Sequence, residues 1–446
     1  MTEVSQMTQQ RIGQPLERAN NTKDAQAESR RSEQVRQLLA QPLTADDAVR
    51  IALLNNPALQ ADLAELGVAE ADLVQAGRLR NPGISFGRLE RTGGGAEIER
   101  GIMFDLAGLL TMPMRTQIER GRFEQARVRA AASAVTLAAD VRRAYFSAVA
   151  ARQTAQFMAR AQQAAEAGAE LAQRMQQVGN WNRLDTAREQ MFYADATAAL
   201  ARSQHEERVT RERLIRLLGL WQSDVTLSLP DTLPALPSTP RDAIDLEKLA
   251  LENRLDIQLA KQATASTAQA LGLNKTTRFI NVLDLGYRNK SETGAPRRDG
   301  YEISLELPLF DWGTARVAKA EALYMQALNR TADTAIRARS QVRESYSAYR
   351  TNYDLSRHYR DEVVPLRKKI SEEMQLRYNG MLASVFDLLA DACRQIDAVN
   401  AAINAQRDFW LAETDLQAAI NGAGSPTDVS TNANRAVATN ATNNEH

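Results

Sequence analysis

One cysteine, Cys393, stands in a chain of 446 residues, so neither an intrachain disulfide framework nor a multi-cysteine metal site can be built. Excess charge is also missing. The 55 basic and 55 acidic side chains balance, which leaves no overall basic field for nucleic acid and no acidic tail. Aromatic residues are only 5%, against 44% hydrophobic residues in all. Together with abundant Ala, Arg, Gln and Glu, this fits long packed helices better than an aromatic-cored enzyme. No run of about 18 apolar residues occurs, which excludes a transmembrane helix but not a membrane β-barrel, whose signal per strand is weak. No Gly-x-Gly-x-x-Gly or Walker A pattern occurs. His205 and His358 are isolated on polar helices and His446 lies near the end, without partners spaced for a metal. The eleven methionines are scattered and read as adaptable packing rather than a metal path. The sequence therefore offers no catalytic, cofactor-binding or metal-binding residues.

Residues 1–42 are polar and of mixed charge, and read as a poorly ordered extension. They lack the apolar core of roughly 7–15 residues that a secretory signal needs. Either the protein is cytoplasmic, or this chain begins downstream of its export signal. Residues 423–446, rich in Asn, Thr and Ala, read as a disordered tail.

What is present is a repeat. Ala52-Leu53-Leu54-Asn55-Asn56-Pro57-Ala58-Leu59-Gln60 recurs loosely from Ala250 to Gln258, and Val141-Arg142-Arg143-Ala144-Tyr145-Phe146 from Val342 to Ser347. Gly179 and Gly380 share the offset of Tyr145 and Tyr346. Residues 43–229 and 241–422 thus read as one unit used twice, joined by a proline-punctuated linker, 230–240.

Each half begins with a helix, capped by Thr44 in the first and starting near Asp245 in the second. Beyond Asn81-Pro82-Gly83 the hydrophobic period changes from 3.6 to 2. Tyr301, Ile303, Leu305, Leu307 and Leu309 alternate with Glu302, Ser304, Glu306 and Pro308, so one face seeks lipid or core and the other water. Leu283, Leu285 and Tyr287 alternate likewise, and a loop from Asn289 to Gly300 would close the hairpin. In the first half Ile84 and Phe86, a turn at Gly93-Gly94-Gly95, and Ile98 to Leu106 form the matching pair. The strands suit the ~9–11 residues that cross a bilayer at a tilt, although an exposed hairpin on a soluble domain has the same pattern. Glu302, Ser304 and Glu306 would face a lumen, and Trp312 an interfacial aromatic girdle. Arg88 and Arg100 belong at the lumen or the interface, since a lipid-facing arginine at the midplane costs about 2–4 kcal/mol.

Long helical patterns follow, Pro113 to Val178 and Trp312 to Tyr378, each on the order of 100 Å. Pro365 should kink the second rather than end it. Return helices run from about Leu184 to Leu218 and from Val385 to Ile420. Gly179 and Asn180, with Asn379 and Gly380, would form the turns, because such turns need left-handed backbone angles. Arg174, Asp185, Arg188, Arg377, Asp387 and Asp391, one or two turns away, are candidates for a charged constriction, with solvated helix faces as the alternative. Four strands cannot close a transport barrel, whereas three copies of the chain would supply twelve.

Over residues 43–422 the sequence resembles the TolC-like outer-membrane efflux factors. The resemblance rests on Leu43-Thr44 through Leu59, Asn81-Pro82, Leu307-Pro308-Leu309-Phe310-Asp311-Trp312-Gly313 and the two glycine turns. It implies a mostly α chain with membrane β-hairpins, and a homotrimer with a twelve-stranded β-barrel in outer-membrane lipid continuous with a long α-helical barrel in the periplasm. Such a trimer is the exit duct of a tripartite efflux pump or a type I secretion system. It meets a periplasmic adaptor at its helical tips, and an inner-membrane transporter supplies the energy. The resemblance makes Val178, Leu184, Met381 and Val385, beside the turn residues, candidates for adaptor contact, with packing of the turn as the alternative. The chain departs from the family at Phe104 to Pro113, where the usual Pro-Leu-Phe strand exit is missing. The rival readings are a soluble coiled-coil scaffold, which would show sustained heptads, and a periplasmic adaptor, which would be richer in β-structure. Cargo is not legible.

Overall fold

The computed structural model describes residues 1–16, 25–90, 92, 95–221, 227–242, 245–277, 282–305 and 312–422. The expected tail 423–446 lies outside them.

Two helices, α1 (Thr2–Ile12) and α2 (Ala25–Leu39), lie within the stretch 1–42 that the sequence reads as a poorly ordered extension. α1 carries Val4, Thr8 and Ile12 on one buried stripe, and Leu16 follows it into the core. The Arg11 guanidinium donates to the Asn253 carbonyl at 2.8 and 3.2 Å, and Asn421 Nδ2 donates to the Arg11 carbonyl at 3.3 Å.

The order that follows is α3 (Ala45–Asn55), α4 (Pro57–Ala76), β1 (Gly83–Glu90), β2 (Ala96–Asp105), α5 (Leu106–Gln177) and α6 (Arg183–Leu217). It recurs as α7 (Leu246–Asn253), α8 (Leu255–Thr276), β3 (Leu283–Glu292), β4 (Arg298–Leu305), α9 (Thr314–His358), α10 (Val364–Asn379) and α11 (Val385–Asn421). α5 starts earlier than the expected Pro113, because Asp105 Oδ1 accepts from the Gly108 amide at 2.5 Å and caps a new helix directly after β2. Pro113 then sits inside α5. Pro365 does not end the second long helix. A π-helical turn, Tyr359–Val363, joins α9 to α10 just before it and relieves the crowding that a proline ring causes one turn back.

The chain divides into two compact units. The first comprises the described residues of Met1–Ala61 and Ala131–Arg254, and residues 338–422. Its aromatic centre is Phe409, with Tyr349, Tyr353, Ala412, Leu416 and Ile420 around it. The proline-rich linker is bound to this unit along its length. Tyr353 donates its hydroxyl to the Pro237 and Ser238 carbonyls, and Trp410 Nε1 donates to the Pro234 carbonyl at 3.0 Å. Asp231 accepts from Gln156 and Arg152, both at 2.9 Å, and those contacts hold its carboxyl below the usual range.

Corresponding residues of the two halves do corresponding work with different chemistry. Tyr145 donates to the Leu43 carbonyl at 2.9 Å and Tyr346 to the Arg241 carbonyl at 3.3 Å. Burial, then the Asp47 charge, pushes the Tyr145 hydroxyl up to about 12, so it stays a donor at physiological pH. Asn56 Nδ2 donates to the Leu217 carbonyl in the last turn of α6, while Arg254 Nη1 donates to the Ala419 carbonyl in the last turns of α11. Each ties the residue after the first short helix to orphan carbonyls of the return helix.

The second unit comprises Asp62–Ala130 and Leu255–Arg337. It holds an antiparallel four-stranded sheet of order β1-β2-β3-β4 and the helical segments leading to and from it. The second hairpin closes through residues 293–297, tighter than the expected Asn289–Gly300 loop, because cross-strand pairs continue to Lys290 and Arg298.

Candidate functional site

Strand register sorts the sheet's side chains into two unlike faces. On one, Ile84, Ile102, Tyr287 and Tyr301 stand opposite one another across all four strands. Next to them, toward the helical ends, come Phe104, Leu285 and Ile303, then Leu283 and Leu305. All of these side chains but the half-buried Leu283 are exposed. Ile84 is 81% exposed, Tyr301 85% and Ile303 70%. In water such a face would carry an unrelieved hydrophobic cost. The other face carries Glu97, Glu99, Asp284, Arg288, Lys290, Arg298, Glu302 and Ser304, with Arg288 paired to Glu302 and Lys290 to Glu97. Glu302 and Ser304 therefore share the polar face; Glu306 lies outside the described residues. Trp312 is exposed just ahead of α9. β1 and β4 are each paired on one side only.

Two turns close the helical hairpins of the first unit, one between α5 and α6 and one between α10 and α11. α5 ends in a Schellman motif, in which the Asn180 amide donates to the Met175 carbonyl at 2.9 Å and Gly179 takes φ +81°. At the second turn the matching bond runs from the Leu382 amide to the Arg377 carbonyl at 2.8 Å. The left-handed residue there is Met381, φ +60°, one position after the expected Gly380, whose φ is −83°. A side chain in that conformation costs about 1–2 kcal/mol. Met381→Gly is expected to raise the stability of the α10–α11 turn by roughly 1 kcal/mol, read as slower amide exchange at residues 377–385; unchanged or faster exchange would contradict the turn geometry.

Val178, Leu184 and Met381 are exposed, and Val385 is half-buried at the start of α11. Asn379 ends α10 and Asn180 lies in the first turn. Leu382, 82% exposed, joins this apolar set and was not singled out in the sequence.

The charged residues near the turns have local partners. Asp185 accepts from Asn182 Nδ2 at 2.7 Å, and its amide donates to Asn182 Oδ1 at 2.8 Å. Asp387 forms a capping box with Ser384, whose hydroxyl and amide lower the aspartate pKa. Arg188 lies 3.9 Å from Asp185, Arg174 pairs with Glu170, and Arg377 is exposed at the end of α10. Asn-x-x-Asp and Ser-x-x-Asp are legible capping patterns that the sequence reading passed over. Asp391 is buried, with Oδ2 lacking a hydrogen-bond partner among the described residues.

A second buried acid, Glu189 on α6, lies against Gly168 of α5, whose missing Cβ leaves room for its Oε1. Its Oε2 also has no hydrogen-bond partner among the described residues, and burial raises its pKa. The neutral acid is therefore the form the fold prefers. Its stabilisation is complete below the unfolded carboxyl pKa and is lost as pH rises through the raised folded value. Glu189→Gln is expected to raise the thermal midpoint at pH 7, by about 1 kcal/mol in stability, and to change nothing near pH 4. A gain of equal size at both pH values would contradict this account.

Among the described residues, no group of three or more His, Cys, Asp or Glu is placed to hold a metal ion. No helix among them is long and apolar enough to cross a membrane.

No protein-family model and no curated protein matches the sequence. Solved structures do match. The Campylobacter jejuni CmeC outer membrane channel superposes with TM-score 0.74 at 17% identity, over 88% of this chain and 88% of its own. The outer membrane protein VceC of Vibrio cholerae gives 0.72 at 17% identity over 85% and 96%, and the Neisseria gonorrhoeae MtrE outer membrane channel 0.71 at 18% over 84% and 88%. The chain shares the fold of these proteins. The match spans 88–96% of each of these chains. CmeC and MtrE are channels rather than enzymes.

Proposed function

We propose that three copies of this chain form an exit duct in the outer membrane, part of a tripartite efflux pump or a type I secretion system. The observation that carries the reading is the sheet. Its four strands have a bare apolar face, a charged opposite face and two unpaired edges. Pairing β4 of one copy with β1 of the next removes every edge at twelve strands and puts the apolar face in lipid. Glu302 and Ser304 then face the water-filled lumen, and Trp312 lies at the interface on the helical side.

The duct performs no chemistry. It supplies a wide polar path, and its selectivity comes from charged rings and from the transporter that loads it. Val178, Gly179, Asn180 and Leu184 in the first turn, with Asn379, Gly380, Met381, Leu382 and Val385 in the second, are proposed to meet a periplasmic adaptor. An inner-membrane transporter drives the pump. Arg174, Arg188, Arg377 and Asp391 are proposed to line the constriction, while Asp185 and Asp387 act first as helix caps. A soluble scaffold has no use for the bare apolar face, so that alternative loses its support.

Fractionation of cells expressing the protein from its natural locus, then mass determination of the detergent-extracted species, tests the proposal. A trimer from the outer-membrane fraction is expected; soluble protein of any mass would refute it.

A further inference from the structure

The apolar face of the sheet ends abruptly. One row beyond Ile84, Ile102, Tyr287 and Tyr301, toward the hairpin turns, stand Phe86, Arg100, Asn289 and Asp299; the next row holds Arg88, Ile98 and Ser291. Arg88 and Arg100 are diagonal neighbours on adjacent strands of one face, so their Cβ atoms are about 7–8 Å apart. Both are exposed. Arg88 has Glu90 at 3.1 Å, itself largely exposed. Arg100 has no acidic partner among the described residues, and its cross-strand neighbours are Phe86 and Asn289. Arg288 and Lys290 on the polar face, by contrast, are matched to acids.

Two guanidinium groups side by side at the edge of a lipid-facing surface repel each other, and the low dielectric nearby strengthens that repulsion. An anion between them reverses the sign. Guanidinium forks fit phosphate oxygens bidentately. The turns lie at the end of the sheet away from the helices, and in the outer-membrane reading, on which this inference rests, that end reaches the outer leaflet. We propose that Arg88 and Arg100 bind the phosphate of a phosphorylated glycolipid headgroup of the outer leaflet, one site per copy and three around the barrel. Arg100 supplies the unpaired charge. Arg88 turns from Glu90 toward the phosphate, and Ile84 and Ile102, one row nearer the midplane, lie beneath the acyl chains.

The test uses the detergent-extracted trimer titrated with bis-phosphorylated lipid A, with dephosphorylated lipid A and with inorganic phosphate, bound lipid being read by native mass spectrometry. The variants are the double change Arg88→Gln with Arg100→Gln, the charge-keeping Arg100→Lys, and Arg298→Gln on the opposite face. The double variant is expected to bind lipid A roughly tenfold more weakly or worse. Arg100→Lys, which keeps the charge but loses the fork, should bind more weakly than wild type and more tightly than the double variant, and Arg298→Gln should bind as the wild type does. Dephosphorylated lipid A should bind weakly, and inorganic phosphate should not compete. Equal binding by the double variant, an equal loss in Arg298→Gln, or full competition by inorganic phosphate would overturn the inference. Recovery of the wild type only as soluble protein would instead remove the outer-membrane reading beneath it. All glutamine variants delete charge from exposed positions, and their recovery as trimers is checked by the same spectra.

Discussion

Replacing Ile102 with arginine is expected to abolish the membrane-inserted trimer. Ile102 is central in the one apolar row that crosses all four strands, flanked by Ile84 on β1 and Tyr287 on β3. A lipid-facing arginine near the bilayer midplane costs about 2–4 kcal/mol in a barrel. Three copies multiply that to about 6–12 kcal/mol per assembly, comparable with the whole stability of a typical domain. Ser304→Arg, on the polar face of β4, is expected to leave assembly intact. The check is the amount of detergent-resistant trimer in the outer-membrane fraction for each variant. Normal assembly of Ile102→Arg, or equal loss for Ser304→Arg, would show that the two faces have been assigned wrongly.

The second large effect belongs to the aromatic centre of the first unit. Phe409 is 1% exposed and contacts three other rings, Tyr349 at 5.6 Å, Tyr353 at 5.8 Å and Trp410 at 5.1 Å between centroids. Truncating it to alanine removes buried area and leaves a cavity among residues that α9, α11 and the linker hold in place, a cost of about 3–5 kcal/mol. The damage spreads because Tyr353 and Trp410 also hold the carbonyls of Pro234, Pro237 and Ser238. Phe409→Ala is expected to lower the unfolding midpoint of the extracted protein and to expose the linker to protease. Phe409→Leu, which keeps much of the volume, should cost far less. A midpoint shift no larger for alanine than for leucine would contradict the packing described.

The sheet was the most legible part of the sequence, because period-2 alternation is local and each strand carries its own copy of it. Leu283, Leu285 and Tyr287, and Tyr301, Ile303 and Leu305, lie on one face as their spacing implied. Where the strands stop was less legible: cross-strand bonding carries β3 to Glu292 through polar residues with no hydrophobic pattern. The helix α1 escaped notice for a related reason. Its buried stripe is only Val4, Thr8 and Ile12, and its position depends on Arg11 reaching Asn253, a contact no local rule contains. At the turns, glycine marked the neighbourhood but not the residue. The α10 helix ends one residue later than the Gly380 signal suggests, and Met381 takes the left-handed angle. The burial of Glu189 and Asp391 is set by the helices packed against them, so no local pattern in the sequence announces it.

The central claim is that β1 of one copy closes on β4 of the next until three copies complete the barrel. The most direct measurement places cysteine at Ser85 on β1 and, in separate proteins, at Gly300, Glu302 or Ser304 on the same face of β4, each with Cys393→Ser, and oxidises them in intact outer membranes. The account predicts that at least one pairing gives covalent species of two and three chains on a denaturing gel and none larger. Monomers only at every pairing, or a ladder continuing past three, would contradict it.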